Sequence, residues 1–375
     1  MLEPREFFSC LKENDIDFFT GVPDSLLKYF CAYVTDNVSD ENNIIAANEG
    51  NAIGIATGYH LATGKIPLVY MQNSGIGNAV NPLLSLVDKE VYNIPVLLMI
   101  GWRGEPDKKD ACQHMKQGRI TPDLLDTMEI PYIVLSEDIS EVKKQLKQTI
   151  EEMKGDNIPR AIIVRKNTFS EYKLKQKDST SCELTREEAI EVIIKNLGKD
   201  DIVVSSTGKI SREVFEVRNK LGQGHENDFL MVGSMGHASQ IALGIALNKP
   251  NRRVVCLDGD GAVIMHMGGL STIALKKPHN FKHVILNNCA HDSVGGQPTA
   301  APILNCKKIA EGSGYTKAIT ASDSSSLNDM ILELLNTDGP SMLEVKVKKG
   351  SREDLSRPDI GPIERKKMLM RLLEE

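Results

Sequence analysis

The sequence lacks three features, each of which would indicate a particular class of protein. Basic residues are not in excess, because 45 Lys and Arg stand against 51 Asp and Glu, for a formal net charge of −6. No hydrophobic run approaches the length of a membrane-spanning helix. None of the seven cysteines belongs to a Cys-x-x-Cys pair. These absences argue against nucleic-acid binding, membrane insertion and a framework of disulfides.

The N-terminal segment and the cysteines indicate a cellular compartment. The segment MLEPREFFSCLKEND carries acidic residues where a signal peptide carries an apolar core. The odd number of cysteines fits reduced thiols. Cys289 and His291 are close in sequence, but two ligands do not make a zinc site. We therefore expect a cytoplasmic protein whose partner is a small molecule, not nucleic acid or a membrane.

The 375 residues are enough for two domains of ordinary size. Both halves alternate short apolar runs with segments of helical character, which predicts an α/β fold with two mostly parallel, doubly wound sheets. Between them lies a polar, lysine-rich stretch. We expect a first domain over residues 1–170, a linker over 171–184, a second domain over 185–350 and a C-terminal tail over 351–375 with a short helix.

The most informative stretch is RRVVCLDGDGAVIMHMGGLSTIALKKPHNFKHVILNN. It predicts a strand at Val254–Leu257, a helix over Ala262–Lys277 and a second strand at Val284–Leu286. A right-handed crossover places two such strands parallel, with their carboxyl ends at one edge of the sheet. Asp260 follows the first strand and Asn288 the second. Their oxygens could share a small hard cation such as Mg²⁺.

Two other interpretations of the Asp-Gly-Asp-Gly motif must be considered. Asp-Gly is a common turn dipeptide and Asn often follows a strand, so an ordinary turn explains the residues equally well. A dinucleotide-binding fingerprint that begins at Gly259 would need glycine at position 264, where the chain has Ile264. The residues alone therefore leave a cation site and an ordinary turn open.

GDG followed by a helix, a strand and NN resembles the diphosphate-binding motif of thiamine diphosphate enzymes. The resemblance implies the fold of that family, with a pyrimidine-binding domain followed by a diphosphate-binding domain. It also implies that Gly259, Asp260 and Gly261 bind the diphosphate of thiamine diphosphate. Asp260, Asn288 and the carbonyl oxygen of Ala290 would hold Mg²⁺.

Two further segments resemble the family. IIAANEGNAIGIATGYHLATG resembles the pyrimidine-domain motif, in which Glu49 would hydrogen-bond the pyrimidine N1′ and promote removal of the C2 proton, a contribution of about 10²- to 10⁴-fold. The helix dipole also favours Glu in a first turn, so its position alone decides nothing. VGSMGHASQIALGIAL resembles the segment in which the Gly233 carbonyl accepts the 4′-amino hydrogen and Met235 props the two rings apart. A core methionine is the other interpretation of Met235.

The strings TGVPDSLL, TGKISREVFE, GSMGHAS and HDSVGGQPT, without a middle domain, resemble the short decarboxylases of this family. Their substrates are anionic 2-keto acids with a phosphonate or sulfonate group, and a single chain favours the phosphonate. The resemblance implies a homo-oligomer, at least a dimer, whose active sites take Glu49 and Asp260 from different chains. A non-catalytic binding or regulatory subunit is the alternative, but an inactive relative has no reason to keep both residues.

The resemblance implies three proton donors, Asp24, His114 and His291. His114 lies in KDACQHMKQGRIT, which resembles a family loop, with Cys112 where the family has proline. An ordinary surface histidine is an equal interpretation of His291.

An anionic substrate also needs local cations and backbone amides. The segment QNSGIGNAVNP predicts a helix after Asn78, and the N-terminus of such a helix would bind an anion. Candidate cations are Arg103, Arg119, Lys209 and Arg212, and the sequence leaves the choice among them open.

Overall fold

The computed structural model describes residues 1–175 and 182–374 of the chain. The linker predicted over 171–184 therefore lies in part outside the described residues. Within these two ranges, no helix is both long and apolar enough to span a membrane.

The chain divides into two compact units. The first comprises Met1–Lys177 together with His291–Gln297, and the second comprises Asp178–Ala290 together with Pro298–Glu375. Each unit contains one six-stranded sheet and its own buried core.

The sheet of the first unit is entirely parallel, with strand order β2-β1-β3-β4-β6-β5. Its strands are β1 (Phe19–Gly21), β2 (Asn43–Ile45), β3 (Leu68–Gln72), β4 (Leu97–Gly101), β5 (Tyr132–Val134) and β6 (Arg160–Val164). Its helices are α1 (Pro4–Glu13), α2 (Lys28–Asn37), α3 (Glu49–Thr63), α4 (Ile76–Ser85), α5 (Cys112–Thr127) and α6 (Ile139–Asp156).

Both faces of this first sheet are covered by apolar side chains. Successive residues of β3 alternate between two buried clusters, with Leu68 and Tyr70 in one and Val69 and Met71 in the other. Burial on both faces is the reason why the strand is apolar along its length instead of alternating with polar residues.

The second sheet is also parallel, with order β11-β12-β10-β9-β7-β8. Its strands are β7 (Ile202–Ser205), β8 (Asp228–Leu230), β9 (Val254–Gly259), β10 (Phe281–Asn287), β11 (Lys317–Ala321) and β12 (Ser341–Lys346). Its helices are α7 (Arg186–Lys195), α8 (Lys209–Lys220), α9 (Ala238–Asn248), α10 (Asp260–Met265), α11 (Gly269–Lys276), α12 (Cys306–Ser313), α13 (Ser324–Asn336) and α14 (Pro362–Glu374).

The predicted architecture of two parallel, doubly wound sheets is confirmed, and the described residues contain no middle domain. The first helix of the second unit, α7, begins with a capping box. The Thr185 side chain accepts a hydrogen bond from the Glu188 backbone N–H, and the Glu188 carboxylate accepts one from the Thr185 N–H. This capping box sets the start of α7.

One predicted helix is wrong in its extent. The segment Ala262–Lys277 forms two helices, α10 and α11, which are separated at His266. Gly268 and Gly269 lie at the break, and glycine weakens a helix because it has the most backbone freedom to lose. Asp260 is the first residue of the short helix α10.

The tail helix α14 packs against β8 within the second unit. Leu369 is buried, and the buried Arg365 side chain donates to the carbonyl oxygens of Leu230 and Ile360. The tail is thus a packing element of the second sheet.

Candidate active site

Asp24 lies at the carboxyl end of β1 and is fully buried. Its carboxylate accepts hydrogen bonds from the Leu26 backbone N–H at 2.8 Å and from Gln72 Nε2 at 2.5 Å. The local bond to Leu26 makes a turn, and the helix α2 begins after it, at Lys28. Burial raises the pKa of Asp24, and these hydrogen bonds oppose the rise. The group is therefore placed to exchange a proton nearer neutral pH than an ordinary Asp.

Glycine provides the space for this carboxylate. A Cβ on Gly101, the last residue of β4, would lie 2.1 Å from Asp24 Oδ2. The segment after β1 thus approaches the end of β4, across β3, too closely for any side chain at position 101.

Glu49 is the first residue of α3 and is 5% exposed. The Asn48 side chain caps the helix by accepting a hydrogen bond from the Asn51 N–H at 2.9 Å. Glu49 Oε2 accepts a hydrogen bond from Asn78 Nδ2 at 2.7 Å. Burial raises the pKa of Glu49, and the bond from Asn78 opposes the rise. The structure therefore holds a carboxyl group of raised proton affinity in one orientation.

Gly75 lies directly over the second oxygen of Glu49. A Cβ at position 75 would lie 2.3 Å from Glu49 Oε1. Only glycine, which has no Cβ, lets the backbone at position 75 pack this closely against the carboxyl group.

The prediction that an anion-binding helix begins after Asn78 is wrong in the position of the helix start. The helix α4 begins at Ile76, so Asn78 lies inside it and its side chain is engaged by Glu49. Asn73 Nδ2 donates to the Arg103 carbonyl and to Thr121 Oγ1. A short 3₁₀ turn over Asn73–Gly75 leads straight into α4, and this explains the early start.

Arg103, one of the four candidate cations, is neutralised within its own unit. Its guanidinium donates two hydrogen bonds to Asp110, at 2.8 and 2.5 Å, and one to Ser25 Oγ. Burial alone would raise the pKa of Asp110, but the bonds from Arg103 hold it well below its usual range. Of the other candidates, Arg119 is exposed on α5, whereas Lys209 and Arg212 are half-buried at the start of α8.

His114 lies in the first turn of α5, so the prediction that its segment is a loop is wrong. The helix docks on the segment after β4, because Trp102 Nε1 donates to the Gly118 carbonyl. A Cβ on Gly104 would lie 1.9 Å from the His114 carbonyl oxygen. This contact through backbone atoms fixes the position of the half-buried His114.

His291 belongs to the segment His291–Gln297, which groups with the first unit although the residues around it belong to the second. Gln297 Nε2 donates to the Lys28 carbonyl oxygen at 3.3 Å. Burial lowers the pKa of His291 to about 4, so the imidazole is neutral at pH 7. A neutral imidazole can donate from one nitrogen and accept at the other.

The neighbouring parallel strands predicted around GDG are confirmed, since β9 pairs with β10. Asp260 follows β9 and is 4% exposed. Its Oδ2 accepts a hydrogen bond from Thr299 Oγ1, and the backbone amides of Gly261 and Asn288 also bond to the carboxylate. Burial raises the pKa of Asp260 to about 6. The second unit thus holds a buried carboxylate that a cation would stabilise.

The two asparagines after β10 have different surroundings. Asn287 Nδ2 donates to the buried Glu344 at 2.7 Å, so its side chain belongs to the sheet. Asn288 Oδ1 accepts a hydrogen bond from the Ala290 N–H at 3.1 Å, across Cys289 with a φ of 57°. The turn brings Asn288 and Ala290 to the edge where Asp260 lies. Together these residues offer oxygen atoms, the ligands that Mg²⁺ prefers.

Gly233 and Met235 lie in a tight turn between β8 and α9. Ser234 has a φ of 56° and Gly236 a φ of 84°, and a Cβ on Gly236 would lie 2.5 Å from the His266 ring. Met235 is half-buried and, within the described part of the chain, lies outside the buried apolar clusters. The interpretation as a core methionine therefore does not describe this residue.

Three residues that hydrogen-bond the candidate acids were not predicted from the sequence. Gln72, Asn78 and Thr299 each hydrogen-bond a candidate acid, from positions 48, 29 and 39 residues away. No local pattern marks such partners, because they are brought together only when the strands and helices pack.

Comparison with known proteins agrees with this geometry. The family model described as thiamine pyrophosphate enzyme, N-terminal TPP binding domain, matches residues 5–130. The corresponding C-terminal TPP binding domain matches residues 207–345. The two matches define a class of enzyme that uses thiamine diphosphate, and each falls on one of the two sheets.

Individual relatives narrow this class. A phosphonopyruvate decarboxylase of Streptomyces viridochromogenes is 32% identical over 97% of this chain and 93% of its own length. A sulfopyruvate decarboxylase of Methanosarcina acetivorans is 27% identical over 80% of both chains. The sulfopyruvate decarboxylase subunit beta of Methanococcus maripaludis is 32% identical over 52% of this chain and 100% of its own length.

The chain therefore belongs to the phosphonopyruvate decarboxylase family of thiamine diphosphate enzymes. It is a carboxy-lyase that decarboxylates a 2-keto acid with thiamine diphosphate as cofactor.

Proposed function

We propose that this chain decarboxylates 3-phosphonopyruvate to phosphonoacetaldehyde and CO₂, with Mg²⁺ as the cation that accompanies thiamine diphosphate. The observation that carries the proposal is the extent of similarity. The phosphonopyruvate decarboxylase relative covers 97% of the chain, whereas the single-chain sulfopyruvate decarboxylase covers 80% at lower identity. Sulfopyruvate is the second candidate substrate, since that relative also matches most of the chain.

The residues present fit the cofactor and the cation. In this proposal residues 1–170 bind the aminopyrimidine and residues 185–350 bind the diphosphate. Asp260, Asn288 and the Ala290 carbonyl would hold Mg²⁺, because a buried carboxylate with oxygen neighbours suits a hard cation. Gly259 and Gly261 flank Asp260 and keep the backbone there open to a diphosphate.

The chain's own residues have separate tasks. Glu49 would hold the aminopyrimidine through its carboxyl group, beside the bare backbone of Gly75. The Gly233 carbonyl would accept a hydrogen bond from the amino group of the same ring, and Met235 would prop the two rings of the cofactor apart. When bound, thiamine diphosphate supplies the electron sink into which a 2-keto acid loses CO₂.

Loss of CO₂ leaves an electron pair on the former keto carbon, which must gain a proton before the aldehyde leaves. Asp24 is one candidate donor, since burial raises its pKa and so favours the protonated carboxyl group. His114 and the neutral His291 are the other two candidates. Each could transfer a proton directly or through water.

We also propose that the protein is a homo-oligomer, at least a dimer, in which each site combines Glu49 of one chain with Asp260 of another. A relative named as a subunit matches only 52% of this chain over its entire length, and this supports a site assembled from two polypeptides.

The substrate is tested by turnover of phosphonopyruvate, sulfopyruvate and pyruvate side by side, with detection of the aldehyde formed. We expect phosphonopyruvate to give the highest kcat/KM. A clear preference for sulfopyruvate or pyruvate would overturn the proposed substrate. No turnover of any of the three, with cofactor bound, would favour a non-catalytic binding subunit instead.

A further inference from the structure

Helices α3 and α4 approach each other closely where Glu49 begins α3. Glycine permits the approach, because a Cβ on Gly50 would lie 2.8 Å from the carbonyl oxygen of Asn78. Further along α3, a Cβ on Gly54 or Gly58 would meet nothing within 4 Å. Among these three glycines, only Gly50, next to the acid, is in close contact with α4.

At this contact Asn78 Nδ2 donates to Glu49 Oε2 at 2.7 Å. Among residues 1–175 and 182–374, Asn78 is the one side chain that donates a hydrogen bond to Glu49. The other oxygen, Oε1, lies beneath Gly75. The amide thus engages one oxygen of the carboxyl group, while the Gly75 backbone packs against the other.

We propose that Asn78 is a positioning residue for Glu49: its amide fixes the rotation of the carboxyl group that would hydrogen-bond the aminopyrimidine. The inference rests on the proposed function, since it concerns the acid that activates thiamine diphosphate. Asn78 acts only through Glu49 and need not touch the cofactor.

The hydrogen bond from Asn78 also affects the ionisation of Glu49. Burial favours the neutral carboxyl group, whereas a hydrogen bond donated to the carboxylate favours the ionised form. Removal of the Asn78 amide should therefore raise the pKa of Glu49 further. A hydrogen bond to a charged group is strong enough to move this pKa by about one to two pH units.

The first test uses protein without cofactor. Infrared spectra recorded against pH report the ionisation of Glu49 when the spectrum of a Glu49→Gln protein is subtracted. In Asn78→Ala we expect the pKa of Glu49 to rise by about one pH unit or more. Asn78→Gln, which keeps an amide donor, should reverse much of the rise. Asn81→Ala is the matched control, because Asn81 lies one turn further along α4 and is exposed.

The second test uses protein with thiamine diphosphate bound and measures exchange of the C2 proton against pH. Asn78→Ala should slow the exchange by about tenfold and move the acid limb of its pH profile upward, because acid–base help depends on the orientation of the acid. Gly50→Ala, which pushes α3 away from α4, should act in the same direction, whereas Gly54→Ala should not.

The results of the two tests distinguish the role of Asn78 from the proposed function. A pKa of Glu49 and an exchange profile that stay unchanged in Asn78→Ala would overturn the role of Asn78. If that variant does not fold, the isosteric Asn78→Asp replaces it and should raise the pKa of Glu49 even more, because it adds a like charge. Absence of C2 exchange in the wild-type protein would instead contradict the proposed function, while the infrared titration would still decide the coupling between Asn78 and Glu49.

Discussion

The two units have the same strand order but different chemistry at the carboxyl edge of the sheet. Numbered within each unit, the order is 2-1-3-4-6-5 in both. The residue directly after the third strand is Asn73 in the first unit and Asp260 in the second. After the fourth strand come Arg103 and Asn288, and in each unit the two positions are hydrogen-bonded to each other.

The difference lies in the charge at the equivalent positions. In the first unit the amide of Asn73 bonds to the backbone of Arg103, whose own charge is balanced by Asp110. In the second unit Asp260 is a buried carboxylate, and no lysine or arginine of the described residues forms an ion pair with it. The same scaffold therefore makes a closed structural contact in one unit and, in the other, holds a buried carboxylate without such a partner.

Substitution of Glu49, the acid of the first unit, is expected to have the largest effect on catalysis. Glu49→Gln keeps the shape of the side chain and an oxygen that can accept from Asn78, but it removes the ionisable group. We expect C2 proton exchange of bound thiamine diphosphate to fall by at least about 10²-fold, with the cofactor still bound. Calorimetric titration provides the binding control. An exchange rate within tenfold of wild type would contradict the role of Glu49.

The buried carboxylate of the second unit should destabilise the protein when no cation is bound. Its pKa is raised from 3.8 to about 6, so its contribution to stability is full below pH 4 and is lost as the pH rises through 6. A shift of about two pH units corresponds to about 3 kcal/mol. In metal-free protein, Asp260→Asn should therefore raise the free energy of unfolding by about this amount at pH 8.

Denaturant unfolding in the presence of a chelator, from pH 5 to pH 8, measures this effect. The advantage of Asp260→Asn should shrink as the pH falls toward 5. Addition of Mg²⁺ and thiamine diphosphate should reverse the order, because only the wild-type carboxylate binds the cation. A variant that is less stable than wild type throughout the metal-free series would show that Asp260 has another role.

Substitution of Gly75, the glycine beside Glu49, is expected to have a smaller effect on kcat/KM. Gly75→Ala places a Cβ 2.3 Å from Glu49 Oε1, so the carboxyl group must move. Misplacement by about 1 Å can cost up to about 10²-fold in rate, and we expect a loss of kcat/KM of about tenfold. Gly77→Ala is the matched control in α4, since its Cβ would meet nothing within 4 Å. Equal activities of the two variants would contradict the close fit at Gly75.

The parts predicted from the sequence are those with local causes. The strand run before Asp260 and the pairing of β9 with β10 follow from periodicity and the handedness of crossovers. The family resemblance adds Glu49 and the second asparagine, Asn288. It does so through motifs and not through geometry.

The parts that were missed depend on packing between distant segments. The early start of α4 follows from a 3₁₀ turn, and the break between α10 and α11 lies at adjacent glycines. The sequence alone does not predict that His291–Gln297 groups with the first unit, because the residues on both sides of this segment belong to the second unit. Long-range pairings such as Asn78 with Glu49 have no signature in a single sequence.

The central claim is that each active site needs Glu49 from one chain and Asp260 from another. The most direct measurement mixes inactive Glu49→Gln protein with inactive Asp260→Ala protein, allows subunits to exchange and then assays decarboxylation. The account predicts that activity returns, with about one working site per hybrid dimer. Persistent inactivity, when mass spectrometry shows that hybrids have formed, would contradict it.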